Sequence, residues 1–506
     1  MTGMAVRPGR ARPRFTRSFP VAPSAAVSVA VAAPAPIFAA PSSAPHPLGD
    51  AEHSAALRRR ADEIDAAFDA IEPELRELAP RQFDPAFAAA ARARLLADLG
   101  LDVPASALRA TWIAPLDVRA LHSRCVLGTF GRLVERAFAR DFAECTDGER
   151  VDVLTRRFGF HAVDITPCAD GRLSGVVDYI LRVPPAIVTS RTSHAGAMFD
   201  VEEALRAWEG VELRRLRDAS PNAGDAAVET RYLKIGVYHF SSVDPGKQGC
   251  AAHGHDGTRA ARAVAGRLDQ FARAVRETYG ASVAVLLAGV DTDTDALRVH
   301  VPDASGALAV DRYVDASVLY DRTRGLSRDA AKDAVRDAVA RCAGTSSDDA
   351  ATEGMRWFCG YLLKNNLAQV DAVRARYGAA YAERGHTERF IVVGDPVDDV
   401  QLRNLAFQAQ METLEEGAAD LDIGVRILHG LHAPRGFAVP VLVHERYDAR
   451  IPGARERAAF RARRLRAAIA ARYDALVRTG ELYVDAVVRA GDGATFGRME
   501  PVEEAE

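Results

Sequence analysis

Long apolar runs, lysines and clustered cysteines are all scarce in this 506-residue chain. No stretch reaches the roughly eighteen uninterrupted apolar residues that a membrane-spanning helix needs, so no membrane span is expected. The six cysteines lie scattered between Cys125 and Cys359, which is not a disulfide framework and favours a reducing compartment. The net charge of -4 gives no reason to expect a nucleic acid or an anionic membrane as the main partner.

The composition allows several folded domains but sets residues 1–50 apart from the rest. Overall, 48% apolar and 26% charged residues are typical of a globular chain, and this length allows about two to four domains. Residues 1–50 hold nine prolines, five arginines between Arg7 and Arg17, and a single acidic residue, Asp50. Such a tail cannot bury enough apolar surface to offset its conformational entropy, so we expect it to be disordered. It could serve as a short docking motif or as an export signal, although its prolines interrupt the apolar stretch that export needs.

Residues 51–150 have the periodicity of helices. Apolar residues recur there at steps of three and four, at Ile64, Phe68, Ile71, Leu75 and Leu78. Further helices are predicted at Ser106–Ile113, ending before Pro115, and at Leu127–Phe142. Because no cluster of catalytic residue types occurs here, the segment is predicted to be a helical domain without the active site.

Residues 151–387 and 388–506 alternate short apolar runs with amphipathic helices, which is typical of α/β folds. In the first region we predict strands at Ala162–Ile165, Tyr232–Tyr238 and Ser282–Val290, and a helix at Arg259–Tyr279. In the second we predict strands at Phe390–Val393, Val425–Leu428 and Phe437–Val443. The predicted fold class is therefore α/β, with an N-terminal helical domain followed by two α/β domains.

The second α/β region repeats the order of elements of the first. A strand ending in His239 leads through a loop to a helix that closes on Tyr279, and a strand ending in His444 leads to a helix that closes on Tyr473. No cysteine lies beyond Cys359, so the second region has no thiols. Two explanations stay open: a degenerate duplication, which we favour, or unrelated units that share a common order of elements.

Three side chains carry the chemistry of the first α/β region. Cys168 follows an apolar strand, His239 closes another, and Cys250 lies in the loop after it. Strand ends of parallel sheets are where ligands usually bind. Two thiolates and one imidazole suit zinc, and three protein ligands leave the fourth tetrahedral position open, as a catalytic site requires.

A carboxylate and a guanidinium follow Cys168: Asp170 lies two residues after it and Arg172 four residues after it. Asp170 can accept the hydrogen of a water bound to the metal and so orient its lone pair. Left free, that carboxylate could also bind the metal and close the site. Arg172 can hold it back through a bidentate pair, which lysine would do poorly.

The pattern Cys168-x-Asp170-x-Arg172, followed by His239 and Cys250, resembles the zinc signature of β-class carbonic anhydrases. The ten residues between His239 and Cys250 replace the two of ordinary members and resemble the carboxysomal branch, once called the ε class. The layout resembles that family over essentially the whole chain: a disordered tail, a helical domain, a catalytic domain and a decayed copy of it.

The resemblance implies the function. It assigns Cys168, His239 and Cys250 as the ligands of one Zn2+ per chain, and Asp170 and Arg172 as the catalytic dyad. It implies reversible hydration of CO2 to bicarbonate by a zinc-bound hydroxide inside the carboxysome, supplying CO2 to Rubisco. It also implies a homodimer or larger homo-oligomer, and binding of Rubisco or shell proteins by residues 1–50.

Several alternatives remain at this point. His253 and His255 are near enough to Cys250 to be ligands, proton carriers or ordinary loop residues, and His386 could reach the site if the two α/β regions pack together. This sequence contains neither the motif of a zinc deaminase nor that of a zinc alcohol dehydrogenase. The main alternative is a scaffold protein in which zinc only stabilises the fold. The Asp170 carboxylate, held away from the metal by Arg172, argues against this alternative.

Overall fold

The computed structural model describes residues 45–144, 158–184, 187–218, 230–344, 350–491 and 496–503. The disorder predicted for residues 1–50 therefore falls mostly outside the described residues, as does Cys145. Within the described ranges, no helix combines the length and the apolar character needed to cross a bilayer.

Four helices form the N-terminal part: α1 Ala51–Asp69, α2 Ile71–Leu78, α3 Phe87–Leu99 and α4 Val118–Glu144. The helix predicted at Ser106–Ile113 is wrong, because only a short 3-10 turn, Ala105–Leu108, forms there. Trp112 and Ile113 are 86% and 73% exposed, so no neighbouring surface covers the apolar face that a helix would present.

The first sheet has six strands in the order β2-β1-β3-β4-β5-β6. They are β1 Phe160–Pro167, β2 Val188–Arg191, β3 Arg231–Phe240, β4 Ala284–Asp291, β5 Leu297–His300 and β6 Val314–Asp315. Strands β2, β1, β3 and β4 are parallel, and β5 and β6 add antiparallel pairs. The helices of this region are α5 Val201–Asp218, α6 Gly257–Tyr279, α7 Ala316–Thr323, α8 Arg328–Ala343 and α9 Ala350–Tyr377.

The second sheet has five strands in the order β11-β10-β9-β7-β8. Its elements are β7 Phe390–Gly394, β8 Ala406–Ala409, α10 Leu414–His432, β9 Val439–Asp448, α11 Ala454–Arg472, α12 Asp474–Arg478, β10 Leu482–Gly491 and β11 Phe496–Pro501. The strand predicted at Val425–Leu428 is wrong, since these residues lie within α10. Leu421, Val425 and Leu428 are buried at helical steps, and a Thr413–Glu416 capping box starts the helix.

The predicted order of a helical part and two α/β parts is confirmed. The pairing of residues along the strands also allows equivalent positions of the two sheets to be compared. Along β1 and β3 the last pair is Pro167 with Val237, and extending this register by two residues would set Ala169 opposite His239. Along β7 and β9, Gly394 pairs with His444. Matching the two histidines puts Asp395 where Asp170 lies in the first sheet, and puts Val393 in the position of Cys168. This correspondence favours the duplication over two unrelated units.

The N-terminal helices share a hydrophobic core with the second sheet rather than with the first. Phe390 of β7 lies against the rings of Phe130 and Phe68, with ring centroids 4.6 and 6.2 Å apart. The first sheet and its helices form a separate core. The second α/β region therefore packs against the N-terminal helices and also against the loop that carries Asp170.

Gly236→Ala tests the packing of α6 on the first sheet. A Cβ at Gly236 of β3 would overlap Val264 of α6, so we expect a loss of about 1–3 kcal/mol in the free energy of unfolding. The control is Gly266→Ala in α6, where the added Cβ would meet no atom within 4 Å beyond its own stretch of helix, among the residues that the structure describes. That change should stabilise by about 0.5–1 kcal/mol. Urea denaturation measures both, and equal effects of the two variants would contradict the packing.

Candidate metal centre and active site

Cys168, His239 and Cys250 come together at the carboxyl ends of β1 and β3. Cys168 lies one residue beyond β1, and its N–H donates to the Val237 carbonyl at 3.0 Å. His239 is the penultimate residue of β3. Cys250 precedes a short 3-10 turn in the loop that follows β3. All three are buried, with exposures of 5%, 1% and 1%, so the sequence-predicted ligands converge within the protein.

The donor atoms have the spacing of a tetrahedral metal site. The two Sγ atoms are 3.9 Å apart, and all three donor atoms lie within 4.8 Å of one another. Two sulfurs at the usual 2.3 Å from a tetrahedral zinc would be about 3.8 Å apart. The geometry is therefore compatible with zinc, and three protein donors leave the fourth position of a tetrahedral ion to another ligand.

The two thiols are unequal. A hydrogen bond from Cys168, together with the backbone N–H groups of Ala252 and His253, lowers the pKa of Cys250. The Cys250 contact and burial raise the pKa of Cys168. The Gly196 N–H donates to the Cys168 sulfur at 3.2 Å. A metal ion that binds both sulfurs takes the place of their protons.

Asp170 and Arg172 form a buried bidentate pair beside these donors. Nε and Nη2 of Arg172 donate to the two carboxylate oxygens at 2.9 and 2.8 Å. Burial opposes ionisation of the carboxyl, but Arg172 and the nearby His239 offset it and hold the pKa of Asp170 well below its usual range. Oδ2 of Asp170 is 3.3 Å from His239 Nε2, so the carboxylate lies against the donor set.

Arg172 is itself held in place on its far side. Its Nη1 donates to the Gln248 carbonyl at 2.8 Å and to the Thr292 hydroxyl at 3.2 Å. Thr292 belongs to the buried run Asp291–Asp295, which sequence reasoning missed. The repeated Asp-Thr pattern at the end of an apolar strand was the signal that could have found it.

Thr292→Val is expected to lower kcat for the reaction at this site by about tenfold or more, since a hydrogen bond to a charged group contributes roughly 1.5–3 kcal/mol. The metal content should not change, because Thr292 contacts Arg172 and the Phe240 carbonyl rather than the donor atoms. Thr292→Ser keeps the hydroxyl and should recover most of the rate. An unaltered kcat in the valine variant would remove Thr292 from the site.

The second α/β region closes over the Asp170 loop. The Asn404 N–H donates to the Gly171 carbonyl at 2.7 Å, and the Gln408 N–H of β8 donates to the Ala169 carbonyl at 3.3 Å. His386 reaches the site as predicted for packed halves, with Nε2 3.9 Å from Asp170 Oδ2. Residues of both α/β regions therefore surround the dyad.

The remaining candidates have other contacts. Nε2 of His253 donates to the Gly196 carbonyl at 3.2 Å, and Nδ1 of His255 donates to the Gly249 carbonyl at 2.9 Å. Both rings thus brace the loops around Cys168 and Cys250. Cys125 and Cys359 are buried in helices away from the donor set, and Cys342 is half-buried.

Buried thiols, an imidazole and an arginine-held carboxylate at the ends of parallel strands define an α/β metalloenzyme. Three family models describe carboxysome shell carbonic anhydrase: the N-terminal model matches residues 46–138, the catalytic model 150–386 and the C-terminal model 387–506. The chain belongs to the carboxysome shell carbonic anhydrase family.

Curated relatives agree with that assignment. A carboxysome shell carbonic anhydrase of Halothiobacillus neapolitanus is 40% identical over 88% of each chain. Proteins of the same name from Parasynechococcus marenigrum and Prochlorococcus marinus are 42% and 40% identical over 88% of this chain, and over 76% and 87% of their own lengths. The resemblance read from the motif, and the carbonic anhydrase class, are confirmed.

Proposed function

We propose that the chain catalyses the reversible hydration of CO2 to bicarbonate at the centre formed by Cys168, His239 and Cys250. The observation that carries the proposal is the buried Asp170–Arg172 pair, 3.3 Å from His239. A purely structural metal site has no use for an ionised carboxylate held beside the donors. A catalytic site uses such a group to orient water.

Cys168, His239 and Cys250 would hold the metal, and two sulfurs with one imidazole favour zinc. When bound, zinc supplies Lewis-acid activation of water at neutral pH. Two thiolates donate more charge than imidazoles do, so neighbouring groups matter more at this site than at a three-histidine site.

The dyad supplies the orientation. Oδ2 of Asp170 would accept a hydrogen bond from the attacking water, so that the oxygen lone pair faces CO2. The two hydrogen bonds from Arg172 keep the carboxylate from turning toward the donor atoms. Ionisation of Asp170 is a condition for this role, and the guanidinium of Arg172 favours it.

The setting we propose is the carboxysome, where the useful direction is dehydration of bicarbonate to supply CO2 to Rubisco. Relatives matched over most of their length are named carboxysome shell carbonic anhydrases. Assembly into a homodimer or larger homo-oligomer, and binding of Rubisco or shell proteins by residues 1–50, belong to the same proposal. Pull-downs with and without residues 1–50 test the role of the tail.

The activity is tested by stopped-flow CO2 hydration and metal analysis on the purified full chain. We expect about one zinc ion per chain, loss of the rate after removal of the metal by a chelator, and recovery with zinc. A chain that retains zinc but does not hydrate CO2 would instead favour the scaffold alternative.

A further inference from the structure

Glu388 is a buried carboxylate next to the dyad, and neither the metal site nor the sheet accounts for it. It lies two residues before β7, and its side chain has no solvent exposure. A Cβ on Gly171, between Asp170 and Arg172, would overlap the Glu388 side chain, so the glycine allows this close approach. The second α/β region thus places a carboxylate directly against the Asp170 loop.

The contacts of Glu388 point to one partner. Oε1 accepts a hydrogen bond from Nδ1 of His386 at 2.6 Å. Oε2 has no hydrogen-bond partner within the part of the chain that the structure describes. A buried carboxylate is costly unless it is paired, so the His386 ring is the contact that makes this position tolerable.

His386 in turn faces Asp170. With Nδ1 held by Glu388, the other ring nitrogen, Nε2, lies 3.9 Å from Asp170 Oδ2, which is an ion-pair distance. The charges acting on the ring are Asp170, Glu388 and Arg172. Burial works against protonation, but Asp170 and Glu388 offset it and raise the pKa of His386 above its usual value.

We propose that Glu388 is a positioning residue: it fixes the His386 ring with Nε2 directed at Asp170, so that the carboxylate is restrained by Arg172 on one side and by His386 on the other. The inference rests on the proposed function, because a restrained Asp170 matters only if that residue orients the reacting water. It also gives the second α/β region a part in the site, although it has no thiolates of its own.

The test is a double-mutant cycle on the full-length zinc protein with Glu388→Gln and His386→Ala. Removal of a charged outer partner costs roughly 10–100-fold at comparable metal sites, so we expect Glu388→Gln to lower kcat by about tenfold with unchanged zinc content. In the His386→Ala background the same change should have little further effect, because Glu388 acts through that ring.

A second readout does not depend on activity. NMR of carbon-13-labelled histidine, with His386→Ala to assign the signal, should show a lower pKa for His386 in Glu388→Gln. The sign follows because the change removes a negative charge that favours the protonated ring. Glu383→Gln makes the same chemical change at an exposed position three residues from His386, and it should alter neither the rate nor that pKa.

The outcomes separate this inference from the proposed function. If the wild-type zinc protein does not hydrate CO2, the proposed function fails. If the wild type is active, the positioning role is overturned by any of three results: an unaltered kcat and His386 pKa in Glu388→Gln, the full Glu388→Gln effect in the His386→Ala background, or loss of zinc from Glu388→Gln. Thermal unfolding of each variant shows whether it is folded under the assay conditions.

Discussion

Cys168→Ala is expected to remove both the bound metal and the CO2 hydration activity. Cys168 supplies one of two sulfurs 3.9 Å apart, and without it only His239 and Cys250 remain. The loss should exceed the roughly 10–100-fold that removal of an outer partner costs, bringing the rate to the uncatalysed background. Metal analysis and stopped-flow CO2 hydration on the same preparation measure both quantities.

The matched control for this variant is Cys359→Ala. Cys359 is a fully buried thiol in α9 whose pKa is raised by burial, so it is a small apolar core residue rather than a ligand. The control should keep its zinc and its rate. A Cys168→Ala protein that retained zinc and activity would exclude the proposed donor set.

Asp170→Asn is expected to separate metal binding from catalysis. The amide has nearly the shape of the carboxylate, and the donor atoms of Cys168, His239 and Cys250 are untouched, so zinc should stay bound. The amide carries no charge and presents only one acceptor oxygen to Arg172 and to the reacting water. We expect kcat to fall by about 10–100-fold.

Asp399→Asn is the control for the loss of a buried aspartate–arginine pair. Asp399 accepts two hydrogen bonds from the fully buried Arg489 in the second α/β region, one of them at 2.9 Å. That variant should lose stability but retain its kcat. An Asp170→Asn protein with full activity would take the dyad out of the mechanism, and one without zinc would make Asp170 a support for the metal.

The residue types and spacing of the site could be read from the sequence because all five groups lie at the end of a strand or in the loop after it. The ends of neighbouring parallel strands meet at one edge of a sheet, so Cys168, His239 and Cys250 had to converge once β1 and β3 paired. The Asp170–Arg172 pair needed only local geometry. The proximity of these residues therefore follows from their positions at strand ends together with the pairing of β1 with β3.

Thr292 and Glu388 could not be placed in the same way. Their contacts with the site depend on β4 lying beside β3 and on the second α/β region packing against the Asp170 loop. Such long-range packing leaves no periodic signal in the chain. The incorrect strand at Val425–Leu428 has a related cause, since a four-residue apolar run fits a strand and a buried helix face equally well.

Titration of the metal-free chain with zinc, followed by the rate of CO2 hydration, tests the account most directly. If Cys168, His239 and Cys250 form a single catalytic site, the rate should rise in proportion to added zinc and level off at about one zinc ion per chain. A rate that is independent of zinc, or that stays at background when zinc is fully bound, would contradict the account.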